Sequence, residues 1–263
     1  MLGCRLMNFK PLFMKFNDFI SEIDRDLLLR KNGNGTNGNH QDKINGYEIL
    51  GDDHTGTSID TPLRDDAFDI SDDEKMRVIE KHFREIMLAL GLDLNDDSLK
   101  GTPHRVAKMY VKEIFHGLNP GNKPSISVFD NKYRYGQMLV EKNIRVTSTC
   151  EHHFLPVIGK AHVGYISSGE VIGLSKLNRI VDYYARRPQV QERMTVQIAQ
   201  ELKKVLKTED VAILVEARHM CVSCRGIQDD ASTTVTAEYL GKFREEPTRE
   251  EFLKYLQLDL KSQ

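Results

Sequence analysis

The sequence predicts an α+β domain in which N-terminal helices precede an antiparallel sheet laid down in the order ββααββ. Two observations carry this reading. Four β-rich runs fall into two pairs: NIRVTST (143–149) with VIGKAHVGYI (157–166), and VAILVEA (211–217) with STTVTAEYL (232–240). Two stretches of helical periodicity lie between the pairs, a pattern of hairpins with inserted helices rather than of βαβ repeats.

Each element has its own signal. Residues 1–30 place Phe9, Leu12, Phe13, Phe16, Phe19, Ile20 and Ile23 at helical spacing, which fits a short docking helix or sequence upstream of the true start, Met7 and Met14 being alternative starts. NGNGTNGN (32–39) has the composition of a flexible linker, and the polar, acidic stretch to residue 70 extends it. Residues 1–70 are therefore expected to be a partly disordered extension, and 71–263 the folded domain, with helices over 71–120 and the sheet-bearing part over 125–245. SDDE opens the first helix as a capping box, with Ser71 as the cap and Glu74 reaching back. Met76, Ile79, Phe83, Ile86 and Leu90 form its apolar stripe, and Gly91 ends it. The second helix is expected to start with Thr102 as N-cap and Pro103 just inside, to face Val106, Met109 and Tyr110 inward, and to close at Gly117. The third begins at Ser175, which sits where an N-cap belongs, and carries Leu177, Ile180, Val181 and Tyr184. The fourth follows Pro188 with Val190, Met194, Ile198, Leu202 and Val205. PTREEFLKYLQ forms a short helix at the end.

Composition narrows the function. The chain has 263 residues, 40% hydrophobic, with 37 basic against 39 acidic side chains. That near-neutral balance predicts no nucleic-acid surface, so any phosphate must be held locally by a few Lys and Arg. Four cysteines in a chain of this length make no disulfide framework. No apolar run reaches the roughly 20 residues that span a bilayer. The expected setting is cytoplasmic.

STCEHHFLP (148–156) and RHMCVSCRG (218–226) concentrate metal donors. Cys150 and His153 are three apart after a strand, so a tight turn brings thiolate and imidazole to one ion, and Cys221 follows the third strand. Two sulfurs and one nitrogen suit tetrahedral Zn²⁺, and three protein donors leave a position open, the catalytic arrangement. Cys224 allows a second arrangement, a closed Cys₃His structural site. His152 and His219 favour the open one: both flank the donors, a structural site has no use for them, and imidazoles serve acid–base chemistry near neutral pH. Glu151 is either an orienting group behind the donors or a solvated charge.

GLSKLNRIVDYYARRPQVQERM (173–194) points to an anion. Lys176 and Arg179 sit in the first turn of a helix, where cations oppose the macrodipole. A bound anion there explains them, since free N–H groups and two charges converge on it. Arg225 adds a cation close to the donors, and Arg105 and Lys108 share a face of the second helix. Glu192, at the start of the fourth helix, can accept two N–H bonds from a guanine edge.

Taken together, TPHRVAKMY, STCEHHFLP, GLSKLNRIV, RPQVQERMT and HMCVSCRGI resemble, in order, the motifs of the GTP cyclohydrolase I family, over about residues 72–243. The resemblance implies the tunnelling fold (T-fold) and a toroidal homodecamer of two pentamers with sites between subunits. It implies Zn²⁺ on Cys150, His153 and Cys221, and His152 and His219 as acid–base groups. Ser175, Lys176, Arg179 and Arg225 match residues around the ribose and triphosphate of GTP. Glu192 and Gln191 match the guanine-recognising pair, and Arg105 and Lys108 match basic residues of the early helix. Cys224 departs from the pattern of many members. The implied reaction releases formate from GTP and yields 7,8-dihydroneopterin triphosphate.

Overall fold

The computed structural model describes residues 58–258, which belong to one unit. The periodic segment within 1–30 and the Asn/Gly-rich linker lie outside the described residues.

Helix α1 (Asp72–Ala89) starts at Ser71, whose hydroxyl accepts from the Glu74 N–H at 3.2 Å. The reciprocal half of the expected capping box gives way to an ion pair, because the Glu74 carboxylate takes Arg77 at 2.7 Å. Gly91, at φ +83°, supplies the left-handed turn that follows. The apolar stripe is only partly covered: Met87 is buried, whereas Ile86 and Leu90 are 52% and 73% exposed. Helix α2 (Thr102–Met109) is capped by Gly101 instead of Thr102, which lies inside the helix and accepts from Arg105. The chain then widens into a π-helical turn, Tyr110–Ile114, and tightens into a 3₁₀ turn, His116–Leu118. Gly117 is required in that turn: its N–H donates to the Arg186 carbonyl at 3.0 Å, and a Cβ there would collide with the Tyr183 carbonyl.

The sheet has five strands in the order β5–β2–β3–β6–β7. They are β2 (Met138–Cys150), β3 (Pro156–Ile166), β5 (Pro188–Gln189), β6 (Val211–His219) and β7 (Thr234–Tyr239). The two long hairpin pairs are antiparallel as expected; β5 adds a two-residue parallel contact, pairing Cys150 with Gln189. Strands β1 (Val128–Asp130) and β4 (Glu170–Ile172) form a separate ribbon. Strand β2 starts earlier than its sequence suggests. A bulge between Glu141 and Ile144, with Asn143 at φ +61°, interrupts the alternation and hides the upstream half.

Helices α3 (Leu174–Ala185) and α4 (Gln191–Leu206) cover one sheet face. Leu177, Ile180 and Val181 of α3 and Met194, Ile198 and Leu202 of α4 are fully buried against Val146, Val163, Ile213 and Val215. Each such side chain contributes roughly 1.5–3 kcal/mol. Ser175 does not cap α3; Gly173 does, without a side-chain bond, so Ser175 lies within the first turn. A four-residue helix, α5 (Met220–Ser223), follows β6, and helix α6 (Glu246–Gln257) seals the other side, with Phe252 and Phe243 fully buried beside Met138 and Ala212. Ahead of α1, the chain is fastened to the helical layer. Arg193 donates to the Ser58 carbonyl, Gln197 to the Ile59 carbonyl and Arg187 to the Thr61 hydroxyl.

This topology locates the site. Strands β2 and β6 both run antiparallel to β3, so they run parallel to each other and their C-terminal ends meet at one sheet edge. Cys150 ends one and His219 ends the other.

Candidate active site and metal centre

The β2–β3 loop is a tight turn. The Cys150 N–H donates to the Leu155 carbonyl at 2.8 Å and the Phe154 N–H to the Cys150 carbonyl at 2.9 Å, with Phe154 at φ +55°. That curl swings His153 back towards Cys150. Across β3, the turn into α5 delivers Cys221. The donor atoms of Cys150, His153 and Cys221 all lie within 4.8 Å of one another. Cys150 and Cys221 are backed by Val157 and Ala217, so one wall of the cluster is apolar. Burial and the neighbouring Cys150 sulfur push the Cys221 thiol up to about 11. Two sulfurs packed together are costly to ionise unless a cation joins them, and a coordinating cation reverses that balance. Donor type, number and spacing thus fit Zn²⁺.

Cys224 stands apart. It is exposed, and its thiol donates to the Met220 carbonyl at 2.8 Å. The cluster has three donors without it, which argues against the closed Cys₃His arrangement.

The two histidines flank the donors. Nδ1 of His152 is 3.8 Å from the Cys150 sulfur, and its Nε2 lies 3.8 Å from the Glu151 carboxylate. His219 Nε2 is 2.8 Å from Oε1 of Gln191. Gln191 is buried, and its amide nitrogen serves the Val215 and Thr234 carbonyls and the Thr236 hydroxyl. With that amide committed as donor, Oε1 must accept, so His219 carries its proton on Nε2 and presents a free Nδ1. Burial pulls the His219 pKa below its usual value, and the Glu192 carboxylate opposes that pull.

The first turn of α4 therefore organises the site: Gln191 grips His219, Glu192 is exposed, and Arg193 is buried against the metal loop. Arg193 was not singled out by the sequence; the signal available was Glu151, an acid among metal donors that needs a counter-charge. It pairs with Arg193 at 2.5 and 3.3 Å.

The predicted cations distribute more widely. Arg225 lies close enough to Cys221 to favour its thiolate. Arg179 lines a cleft of about 560 Å³ with Arg145, Arg186, His116 and Asp182, and no metal donor borders it. Lys176 donates to the Ser125 carbonyl at 2.9 Å, and Ser175 is exposed. Arg105 is occupied locally by Ser98 and Thr102, and Lys108 is exposed at the end of α2.

Comparison with known proteins points the same way as the geometry. The family model for GTP cyclohydrolase I matches residues 79–257. GTP cyclohydrolase 1 of Flavobacterium johnsoniae is 63% identical over 210 residues, covering 80% of this chain and 94% of its own. The enzymes of the same name from Vibrio parahaemolyticus and Aeromonas hydrophila are each 53% identical over 196 residues, covering 74% of this chain and 89% of theirs. A match of this extent, over a fold that brings the expected donors and histidines to one sheet edge, settles the assignment: the chain is an enzyme of the GTP cyclohydrolase I family.

Proposed function

We propose that this chain is a zinc-dependent GTP cyclohydrolase that hydrolyses the imidazole ring of GTP, releases C8 as formate and recloses the product to 7,8-dihydroneopterin triphosphate, the first step towards folates and pterins. The observation that carries the metal part is the Cys150–His153–Cys221 cluster, which holds three donors and not four. When bound there, Zn²⁺ supplies Lewis acidity and lowers the pKa of a water.

The remaining chemistry belongs to the chain's own side chains. Adding water at C8 places electron density on the ring nitrogens, which need protons. His219 is suited to that exchange: Gln191 fixes its tautomer, leaving Nδ1 to take up and return a proton. His152, on the other side of Cys150, is the second acid–base group. Glu192 grips the guanine edge by accepting from the ring N–H and the exocyclic amine, with Gln191 beside it bracing His219. Lys176, Arg179 and Arg225 hold the triphosphate, with Arg105 and Lys108 as further cations, and Ser175 assists proton movement as the ribose rearranges. The basic cleft at Arg179, Arg145 and Arg186 supports the phosphate role.

The working form is a cytoplasmic toroidal homodecamer of two pentamers with sites between subunits. The exposed Ile86 of α1 and Leu90 at its C-cap support this, because an amphipathic helix that leaves its stripe open offers it to another copy.

The test is incubation with Zn²⁺ and GTP, following formate and, after oxidation, neopterin fluorescence. Both are expected in equal amounts, and His219→Ala should abolish both while zinc stays bound. Zinc-loaded protein that yields neither product from GTP overturns the proposal.

A further inference from the structure

We infer that Glu151 and Arg193 form a positioning pair that holds the metal loop in register with the first turn of α4. The inference rests on the functional reading above and adds two residues to it.

Arg193 is 3% exposed and Glu151 20%. The guanidinium spends two N–H groups on the Glu151 carboxylate, at 2.5 and 3.3 Å, and its Nε on the Ser58 carbonyl, at 2.7 Å. It is thus clamped from both sides. The loop is tied a second time through the backbone, where the Glu151 N–H donates to the Gln189 carbonyl at 3.1 Å, two residues before α4 begins.

A buried ion pair is a poor way to stabilise a fold. Desolvation offsets most of its attraction, and an apolar pair of similar volume often does as well or better. Its location explains it better than stability does. Glu151 sits between Cys150 and His152, one residue from a metal donor. Arg193 follows Gln191, which grips His219, and Glu192, whose carboxylate lies near enough to His219 to affect it. A rigid, bidentate fork between the two segments sets the distance from the metal donors to the groups that would hold and protonate the heterocycle. An apolar contact would leave that distance free to slide.

The test uses the full-length protein and Glu151→Gln, a same-shape change that keeps an oxygen acceptor for Arg193, with a thermal melt of each variant to confirm that it is folded. Arg193→Lys keeps the charge but loses the fork, and Arg193→Met removes both. Zinc affinity is read by chelator competition, and kcat and KM for GTP separately. If the pair positions the loop, Glu151→Gln weakens zinc and lowers kcat by roughly 10–100-fold, with KM changed much less. Arg193→Lys should fall between the parent and Arg193→Met, and the double variant should be no worse than the worse single one. Glu151→Gln that keeps the parent's zinc affinity and kcat overturns the inference. The zinc titration needs no turnover, so a parent that binds zinc but fails to convert GTP would sink the proposed reaction and leave this result readable.

Discussion

Replacing Cys221 by alanine should remove zinc, whereas replacing Cys224, three residues on, should leave zinc binding unchanged. The magnitude follows from the donor count. Structural Zn²⁺ sites with four donors bind with about 10–16 kcal/mol, or roughly 2.5–4 kcal/mol per donor. Cys221 is one of three donors within 4.8 Å of one another, so its loss should weaken zinc by about 10²–10³-fold. The thiol of Cys224 makes one exposed bond to its own helix turn, at the Met220 carbonyl. Losing that bond costs at most about 0.5–1.5 kcal/mol locally and none of it from the metal. The assay strips the protein, titrates zinc back against a competing chelator at neutral pH, and counts metal per chain. Zinc lost from Cys224→Ala, or retained at parental affinity by Cys221→Ala, would refute the three-donor assignment.

Other consequences can be checked in the same preparations. Gln191→Met removes the grip on His219 and three further bonds; it should cost roughly 2–4 kcal/mol in a thermal or denaturant melt and lower kcat by about 10²-fold or more, with zinc retained. Phe252→Ala empties a fully buried site between Phe243 and Tyr239; a loss of about 3–5 kcal/mol, or roughly 6–20 °C in Tm, is expected with kcat little changed. Burial holds the His162 pKa below its usual value, with Lys160 and Lys142 adding to the shift and Glu216 opposing it. The unfolded chain therefore takes up that proton first, so the contribution of His162 is full above pH about 6.5 and is lost as pH falls through the lower folded value. Denaturant melts between pH 8 and 5 should show the decline, and His162→Gln should flatten it.

Much of this was legible in the sequence, and the misses share a cause. The four long strands and the helices α3 and α4 declared themselves because Val146, Val163, Ile213, Leu177 and Ile198 repeat at the period of the element that buries them. The clustering of Cys150 with His153 was legible because Cys-x-x-His is a local geometry closed by one turn. Cap positions slipped at Thr102 and Ser175, where a glycine just upstream takes the role without a side chain. The stripe of α1 read as core although Ile86 and Leu90 are exposed, since periodicity records an apolar face and not what covers it. Arg193 was missed because its partner, Glu151, is 42 residues away, and no local pattern announces a charge buried at that range. The bond from Gln191 to His219 spans 28 residues and escaped for the same reason.

The opening turn of α4 sends neighbouring side chains to different walls of the active centre. An α-helix advances about 100° per residue, so one amino acid inserted between Arg193 and Met194 would turn Gln191, Glu192 and Arg193 away together while the buried face of the helix held its place. The spacing between that turn and the buried face of the helix is therefore as strictly determined as the identity of the donors.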